Sequence, residues 1–240
     1  AQGVARWDGS QWHSMGALTG GLVWTLTVYK GELIAGGTFS TADGQTVNRI
    51  ARWDGEAWHS MDGGMNNTVF DLAVYNGELF AGGLFTTAGG QSISHIARWD
   101  GESWQPLGTG MNAQVLALTI YDGALIAGGA FTNAGGQTVD RIARWDGTQW
   151  HSIGNGLNGW VNMLTVADGR LVVGGAFTTA GGQAAGRIAR LDGSAWQPFG
   201  TGVDNRVLAG TVYGNNLIIG GDFTVADGKT ANRIARWGTP

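Results

Sequence analysis

The chain of 240 residues contains 44 Gly, 12 Trp and no Cys, and only 13 % of its residues are charged. The absence of Cys excludes disulfides, thiolate nucleophiles and Cys-ligated zinc. A net charge of −4 argues against a nucleic-acid partner, which requires a basic face. No apolar run approaches the roughly 18 residues that a membrane-spanning helix needs, so we expect no membrane insertion.

One pattern recurs along the whole chain with a spacing of 46 residues. The aromatic position of the Arg-Trp-Asp-Gly motif falls at Trp7, Trp53, Trp99, Trp145, Leu191 and Trp237. A glycine pair keeps the same spacing at Gly36-Gly37, Gly82-Gly83, Gly128-Gly129, Gly174-Gly175 and Gly220-Gly221. Because the register is never broken, we expect a single domain over residues 1–240, without a linker.

Each repeat is predicted to form four short strands separated by turns. Alternating apolar and β-branched residues indicate the strands, and dipeptides such as Asn76-Gly77 are typical of tight hairpin turns. No segment shows the 3.6-residue period of a helix. The elements expected in the first repeat are strands at Val23–Tyr29, at Leu33 to about Phe39 and at Arg49–Trp53, a polar loop at Ser40–Asn48, and a fourth strand around Trp58.

Four antiparallel strands in 46 residues are typical of a propeller blade. Five such repeats therefore predict an all-β fold, a five-bladed β-propeller. A solenoid β-helix would require a shorter repeat.

The strand count also predicts how the ring closes. The third strand occurs six times, and an isolated fourth strand lies near the N-terminus. We expect Gln11–Met15 to join the blade formed by Val207–Trp237, so that an N-terminal strand completes the C-terminal blade and no sheet edge stays open. One of the six third strands is surplus, and Ile234–Trp237 is favoured over Val4–Trp7 for the fifth blade, because it keeps the residues that precede it in the other repeats. A monomer is expected, and a strand-swapped oligomer is the alternative.

The repeat motifs resemble those of known propeller families. The glycine pair, followed by the third-strand aromatic residue and by a Trp five residues later, is similar to the kelch repeat. The string Gly-Gly-x-Phe-Thr-Thr-Ala-Gly-Gly before Arg-Ile-Ala-Arg-Trp-Asp-Gly more closely resembles the repeats of fungal cortical cell-polarity marker proteins and of secreted bacterial repeat proteins. The resemblance covers all five repeats. It implies a non-enzymatic propeller that is extracellular or at the cell surface, and it carries over no catalytic residue.

The recurring Trp and Arg residues are expected to serve the fold. Because every repeat carries its Trp residues, we interpret them as packing between neighbouring blades and not as a stacking platform for sugars or bases. Arg52 and Asp54 alternate onto one face of the third strand. This spacing predicts a structural charged hydrogen bond in each blade, to which stacking of the guanidinium on a Trp would add.

The sequence indicates no metal site, no cofactor and no catalytic residue. His13, His59 and His151 occupy equivalent positions on different blades and cannot converge on one metal ion. A glycosidase-like enzyme, with paired carboxylates near the channel axis, is an alternative. The acids outside turns that depart from the repeat are Asp71, Asp140, Asp204 and Asp222.

The candidate ligand site follows from the differences between repeats. The loops after the second and fourth strands lie on one face of a propeller, the loop face, and the first strands line the central channel. Positions that vary at the start of the first strands bring aromatic rings together with an amide and a guanidinium, a mixture typical of sugar or peptide sites. The alternative is that these positions are unconstrained. The predicted ligand-binding residues are Leu22, Trp24, Thr68, Phe70, Gln114, Trp160, Asn162 and Arg206.

The expected function is that of a non-enzymatic binding or interaction scaffold for a glycan or an extracellular protein. A ligand-free structural propeller, either recently amplified or engineered, is the first alternative. The glycosidase-like enzyme is the second.

Overall fold

The computed structural model describes residues 3–238. Its regular elements over these residues are all strands. None of the described residues belongs to a helix that is long and apolar enough to span a membrane. The chain divides into two compact units, residues 1–115 and residues 116–240. The single domain expected for residues 1–240 stays a prediction.

The first unit contains the N-terminal hairpin and the first two repeats. Its strands are β1 (Ala5–Trp7), β2 (Trp12–Ser14), β3 (Leu18–Thr19), β4 (Val23–Tyr29), β5 (Glu32–Gly37), β6 (Thr41–Ala42), β7 (Gln45–Thr46), β8 (Ile50–Trp53), β9 (Trp58–Ser60), β10 (Val69–Tyr75), β11 (Glu78–Gly83), β12 (Thr87–Ala88), β13 (Gln91–Ser92), β14 (Ile96–Trp99) and β15 (Trp104–Pro106).

The second unit contains the last three repeats, and its first strand starts at the boundary residue. Its strands are β16 (Val115–Tyr121), β17 (Ala124–Gly129), β18 (Asn133–Ala134), β19 (Gln137–Thr138), β20 (Ile142–Trp145), β21 (Trp150–Ser152), β22 (Val161–Ala167), β23 (Arg170–Gly175), β24 (Thr179–Ala180), β25 (Gln183–Ala184), β26 (Ile188–Asp192), β27 (Ala195–Pro198), β28 (Val207–Tyr213), β29 (Asn216–Gly221), β30 (Val225–Ala226), β31 (Lys229–Thr230) and β32 (Ile234–Gly238).

Each repeat forms one antiparallel sheet, the blade. The four-stranded blades follow the orders β4-β5-β8-β9, β10-β11-β14-β15, β16-β17-β20-β21 and β22-β23-β26-β27, and the described part of the fifth has the order β28-β29-β32. These sheets confirm the all-β fold with one blade per 46-residue repeat, which makes five blades.

The first strand of a blade coincides with the prediction, since β4 spans Val23–Tyr29. The turn that follows β4 holds Lys30 at φ 50° and Gly31 at φ 84°. Two successive residues with positive φ are what a two-residue hairpin turn of the right twist requires. The turn chemistry therefore sets the register between the first and second strands.

The core of each unit lies between neighbouring blades. In the first unit, a Cβ placed on Gly36 would lie 2.7 Å from the Cγ1 atom of Val69 in the next blade, so the glycine lets the sheets approach closely. Each repeat also contributes one fully buried Phe, and truncating such a side chain to Ala costs about 3–5 kcal/mol. The buried residues are Phe39, Phe85, Phe131, Phe177 and Phe223.

The segment expected to be a polar loop contains a further small hairpin. Thr41 pairs with Thr46 and Ala42 with Gln45, so β6 and β7 interrupt the predicted loop at Ser40–Asn48. The prediction missed this pair because two-residue strands have no periodicity to detect. Ala42 is buried, which shows that the segment belongs to the core and does not only cap it.

The expected pairing of the N-terminal strand was wrong. We predicted that Gln11–Met15 would complete the last blade, but Trp12–Ser14 pairs along its length with Ala5–Trp7. A carboxylate oxygen of Asp8 accepts hydrogen bonds from the backbone N–H groups of Ser10 and Gln11, which forms a tight turn between the two strands. A partner only a few residues away costs less loop-closure entropy than a strand of a distant repeat, which favours the local hairpin.

The C-terminal third strand agrees with the prediction. Ile234–Gly238 pairs with Asn216–Gly221 in the fifth blade. The surplus copy of the third strand, Ala5–Trp7, is paired in the N-terminal hairpin.

Candidate functional site

The first strands carry a β-bulge at the positions expected to contact a ligand. In β4, the register with β5 shifts between Val23 and Thr25, which leaves Trp24 as the extra residue. Equivalent shifts fall at Phe70 in β10 and at Asn162 in β22. A bulge takes a side chain out of the regular alternation and re-aims it. The bulge explains why these three positions vary without disturbing the blade.

The second glycine of each pair makes room for the bulge. A Cβ on Gly37 would lie 2.0 Å from the carbonyl oxygen of Leu22. That oxygen accepts a hydrogen bond from the N–H of Thr38 at 2.8 Å. The same arrangement places Gly175 against Trp160. The repeated glycine thus fixes the backbone on which the predicted site residues stand.

In the first unit, the structure brings Trp24 and Phe70 together. Their ring centroids lie 6.2 Å apart with the planes at 70°, an edge-to-face contact between neighbouring blades. The next residue of each strand also makes a contact between the two blades. Thr25 Oγ1 donates a hydrogen bond to Asp71 Oδ1 at 3.2 Å. Sequence reasoning singled out Asp71 as an unusual acid but did not pair it with Thr25.

The other predicted residues of the first unit differ in accessibility. Leu22 is exposed, and its N–H donates to Thr38 Oγ1 at 2.7 Å. Thr68 is only 8 % exposed, and its hydroxyl donates to Asn67 Oδ1 at 3.3 Å. Gln114 is half-buried. Leu22 is therefore open to a ligand, whereas Thr68 supports the local backbone.

The first blade exposes an apolar row that sequence reasoning did not single out. Leu26 is 49 % exposed, whereas the equivalent Leu72 and Leu118 are 7 % and 6 % exposed. Trp24 and Val28, two residues before and two residues after Leu26, are also exposed. We call Leu22, Trp24, Leu26 and Val28 the first-blade face. The sequence does not predict this exposed face, because Leu26, Leu72 and Leu118 are the same residue at the same position of the repeat.

In the second unit, Trp160 is exposed and Asn162 is half-buried. The Oδ1 atom of Asn162 is buried and accepts no hydrogen bond within residues 3–238. Arg206 donates to Asp222 Oδ2 from Nε at 2.9 Å and from Nη2 at 2.6 Å, and Arg233 lies 3.8 Å from the other carboxylate oxygen. Arg206 is therefore already held by a carboxylate.

The eight predicted residues fall into two groups. Leu22, Trp24, Thr68, Phe70 and Gln114 belong to the first unit, and Trp160, Asn162 and Arg206 belong to the second. Their convergence at one channel mouth stays a prediction.

The fourth-strand residues Trp104 and Trp196 are structural, as expected, whereas Trp12 in β2 is 69 % exposed. Trp104 Nε1 donates to the carbonyl oxygen of Met61 at 3.1 Å, and Trp196 Nε1 donates to that of Ile153 at 3.3 Å. Both indoles are buried between blades of one unit. Burial with a satisfied N–H leaves no free ring face for a sugar or a base.

The partner predicted for the recurring Arg was wrong. Arg52 Nη1 donates to Glu32 Oε1 at 2.6 Å, and Arg98 Nη1 donates to Glu78 Oε1 at 2.9 Å. Asp54, the partner predicted from the alternation, instead caps its own turn. The pair therefore crosses from the third strand to the second, 20 residues earlier.

Asp54 holds the turn that follows the third strand. Its Oδ1 accepts from the backbone N–H groups of Ala57 and Glu56, and its Oδ2 lies 2.6 Å from His59 Nε2. These contacts hold the pKa of Asp54 below its usual range. Hydrogen bonds from Ser103 and Glu102 in the second blade lower the pKa of Asp100 to about 2. The carboxylates are therefore structural groups.

The remaining His lies apart from these turns. Burial lowers the pKa of His95, which favours a neutral imidazole. Among the described residues, no group of three or more His, Asp and Glu side chains is placed to hold a metal ion.

The comparisons with known proteins agree on the architecture. Residues 31–53, 122–145, 167–194 and 215–236 match the model of a β-propeller domain family of unknown function, DUF5122. The WD40 β-propeller domain of Doa1 superposes with a TM-score of 0.53 and 14 % sequence identity, over 82 % of this chain and 61 % of that chain. The protein is a β-propeller repeat protein.

A second propeller is similar to the same extent. The crystal structure of the computationally designed Ika8 protein gives a TM-score of 0.51 and 16 % identity, over 89 % of this chain and 73 % of that chain. No match was found among curated proteins. At these identities the likeness of the propeller to both structures concerns the fold alone. The resemblance to kelch repeats, to fungal cell-polarity markers and to secreted bacterial proteins stays a prediction.

Proposed function

We propose that this β-propeller is a non-enzymatic interaction scaffold, extracellular or at the cell surface, that binds a protein partner through the first-blade face. The observation that carries the proposal is the exposure of Leu26 at a position that is buried in the second and third blades. Leu22, Trp24 and Val28 extend this exposed surface along one strand. Contiguous apolar surface of this kind marks interaction sites in soluble proteins.

The chemistry of the face favours a protein over a sugar. Its side chains are aliphatic apart from Trp24, and burying one fully exposed aliphatic side chain contributes about 1.5–3 kcal/mol. Trp24 is held edge-on by Phe70, which limits the rotamer entropy lost when a partner contacts the indole. A partner that presents its own apolar surface would use all of these contacts.

Three of the four acids that could have served a glycosidase have structural partners. Asp204 Oδ1 accepts from the backbone N–H groups of Thr224 and Val225, and Asp222 accepts from Arg206. Asp71 accepts from Thr25. These contacts support a scaffold over an enzyme.

The test is a binding screen of the purified chain against an array of extracellular protein domains. Trp24→Ala and Leu26→Ala should each abolish a specific interaction, while Val225→Ala, a matched exposed site in the second unit, should leave it unchanged. All three variants should keep the wild-type melting temperature. A partner that binds the Leu26→Ala variant normally would overturn the proposal, as would the absence of any specific partner. The latter result would favour a ligand-free scaffold.

Self-association is measured in the same preparation by sedimentation velocity. If the wild-type chain forms oligomers that Leu26→Ala dissociates, the face is covered by a second copy and not by a different protein. That outcome would replace the proposed partner.

A glycan is the second candidate, and a separate observation in the second unit favours it. Trp160 offers an exposed ring, and Asn162, two residues later, is half-buried. A sugar stacks on such a ring and hydrogen-bonds to polar side chains beside it. On a glycan array, Trp160→Ala should remove a signal that Trp24→Ala keeps. No glycan signal, or a signal unchanged in Trp160→Ala, would exclude this candidate.

A further inference from the structure

The ion pair of the first two blades is replaced in the fourth blade. The second-strand position that holds the carboxylate reads Glu32, Glu78, Ala124, Arg170 and Asn216 along the five repeats. In the fourth blade, Arg170 therefore occupies the position from which a Glu would pair with the third-strand Arg190. Among the described residues, Arg190 forms no ion pair, and its buried Nε has no acceptor. A buried donor without an acceptor costs stability.

Both arginines line one cavity of about 220 Å3, between the fourth and fifth blades of the second unit. Phe199 and Trp237 form part of its wall, with ring centroids 5.7 Å apart and planes at 84°. Leu217 adds a buried apolar contact. The guanidinium carbon of Arg190 lies 6.0 Å from the centroid of the Phe199 ring. Cationic donors and aromatic rings therefore face the same small volume.

Two of the three carboxylates near the cavity have partners of their own. Asp227 Oδ1 accepts from the backbone N–H and the hydroxyl of Thr201 at 3.0 and 3.2 Å, and these bonds lower its pKa. Asp168 stands in a turn at φ 49°. Arg170 Nε lies 3.5 Å from Asp192 Oδ1, and both side chains are half exposed, so solvent weakens this pair. The acids offset the two positive charges and disfavour a polyanion.

We propose that this cavity binds a small aromatic carboxylate. The carboxylate accepts charge-assisted hydrogen bonds from Arg170 and Arg190. The planar guanidinium group is suited to a carboxylate, because its N–H groups match the two carboxylate oxygens. The ring of the ligand packs against Phe199, Trp237 and Leu217. A small volume with an apolar wall and a few directed polar groups is typical of a ligand site.

The third blade offers an internal comparison. Its equivalent cavity is lined by Arg144, Ile126 and Leu191, and the second-strand position is Ala124. With Ala124 in place of Arg170, this cavity lacks the second guanidinium that would hold the carboxylate in the fourth blade. The proposed site therefore belongs to the fourth blade and does not repeat around the protein.

The test uses phenylacetate and its neutral analogue phenylacetamide as probes on the full chain. Binding is followed by the indole N–H signals of 15N-labelled protein, with Trp237→Phe to assign the signal of Trp237. Phenylacetate should shift that signal at millimolar concentration. Phenylacetamide should bind at least about tenfold more weakly, the loss expected when a charge-assisted hydrogen bond is removed.

Arg170→Glu is the decisive variant, because it recreates the Arg–Glu pair that Glu32 forms with Arg52. It should abolish phenylacetate binding while the melting temperature stays the same or rises. Arg206→Gln, at a different surface of the same unit, should bind like the wild type. If Arg170→Glu lowers the melting temperature, Phe199→Leu replaces it and should weaken binding with the charges intact.

Three results would overturn the proposal. They are no shift of the Trp237 signal with phenylacetate, equal binding of phenylacetamide, and unchanged binding in Arg170→Glu. Inorganic phosphate that binds as well as phenylacetate would show an anion site without the aromatic contact. The first-blade face plays no part in this experiment, so the two proposals fail independently.

Discussion

The indole nitrogen of Trp104 donates a hydrogen bond to the carbonyl oxygen of Met61, which lies 3.1 Å away and 43 residues earlier in the chain. The bond joins the fourth strand of the second blade to the segment that leaves the first blade. Trp104 has no exposed surface. A single side chain therefore both fills the core and satisfies a buried carbonyl.

Trp104→Phe should destabilise the protein by about 1–3 kcal/mol, because the carbonyl of Met61 loses its donor in a buried position. Trp104→Ala should cost about 3–5 kcal/mol, because it also leaves a cavity. Urea denaturation measures both. Trp160→Phe is the control on an exposed Trp and should change stability by less than about 0.5 kcal/mol. Equal losses at Trp104 and Trp160 would contradict the structural role.

The turn aspartates predict how stability depends on pH. Hydrogen bonds hold the pKa of Asp54 below its usual range and that of Asp100 at about 2. An unfolded Asp titrates near about 3.9. The stabilisation is therefore complete above about pH 4 and is lost as the pH falls from there through the lower folded-state pKa. Melting temperatures measured between neutral pH and about pH 2 should decline in this window.

Asp100→Asn should flatten the acid branch of that curve, since the amide does not titrate. Asp168→Asn controls for the removal of one surface carboxylate. An acid branch that is as steep in Asp100→Asn as in the wild type would show that other groups cause the decline.

A glycine packed against a backbone atom and a glycine in an open turn should respond differently to substitution. A Cβ on Gly83 would lie 2.1 Å from the carbonyl oxygen of Thr68, whereas a Cβ on Gly77 would meet nothing within 4 Å. Gly77→Ala should cost about 1–2 kcal/mol, because φ there is 76° and disfavours a side chain. Gly83→Ala should cost about 3 kcal/mol, near the upper end for overpacking, because a backbone atom must move. Chemical denaturation compares the two, and similar costs would refute the close approach.

The two terminal strands should contribute unequally. Deleting residues 234–240 removes the strand that pairs with Asn216–Gly221 and uncovers Leu217, which is now fully buried. Deleting residues 1–8 removes Ala5–Trp7, which pairs with Trp12–Ser14, and the buried Val4. The first deletion should lower the melting temperature more. The reverse order in thermal melts would show that the N-terminal hairpin contributes more to stability.

Much of the fold could be predicted because its signals are local. The alternation of β4 and its Lys30-Gly31 turn act over a few residues, so the strand at Val23–Tyr29 was placed correctly. The small hairpin at Thr41–Thr46 escaped detection, since its strands are too short to show a period. Among the candidate site residues, Trp24 and Phe70 contact each other, and their role in ligand binding stays a prediction. Thr68 was expected to contact a ligand but is buried, because burial depends on neighbouring residues that the alternation pattern does not reveal.

The sequence by itself determined the repeat, the main strands of each blade and the turn between the first two strands, since all of these depend on residues close together in the chain. Only the tertiary structure decided which partner each group finds. Arg52 reaches Glu32 on the neighbouring strand and not Asp54 on its own. Leu26 is exposed where Leu72 is buried, although both occupy the same position in the repeat. The physical reason is that a repeat specifies the same local structure in every copy, whereas burial and pairing depend on what lies beside each copy.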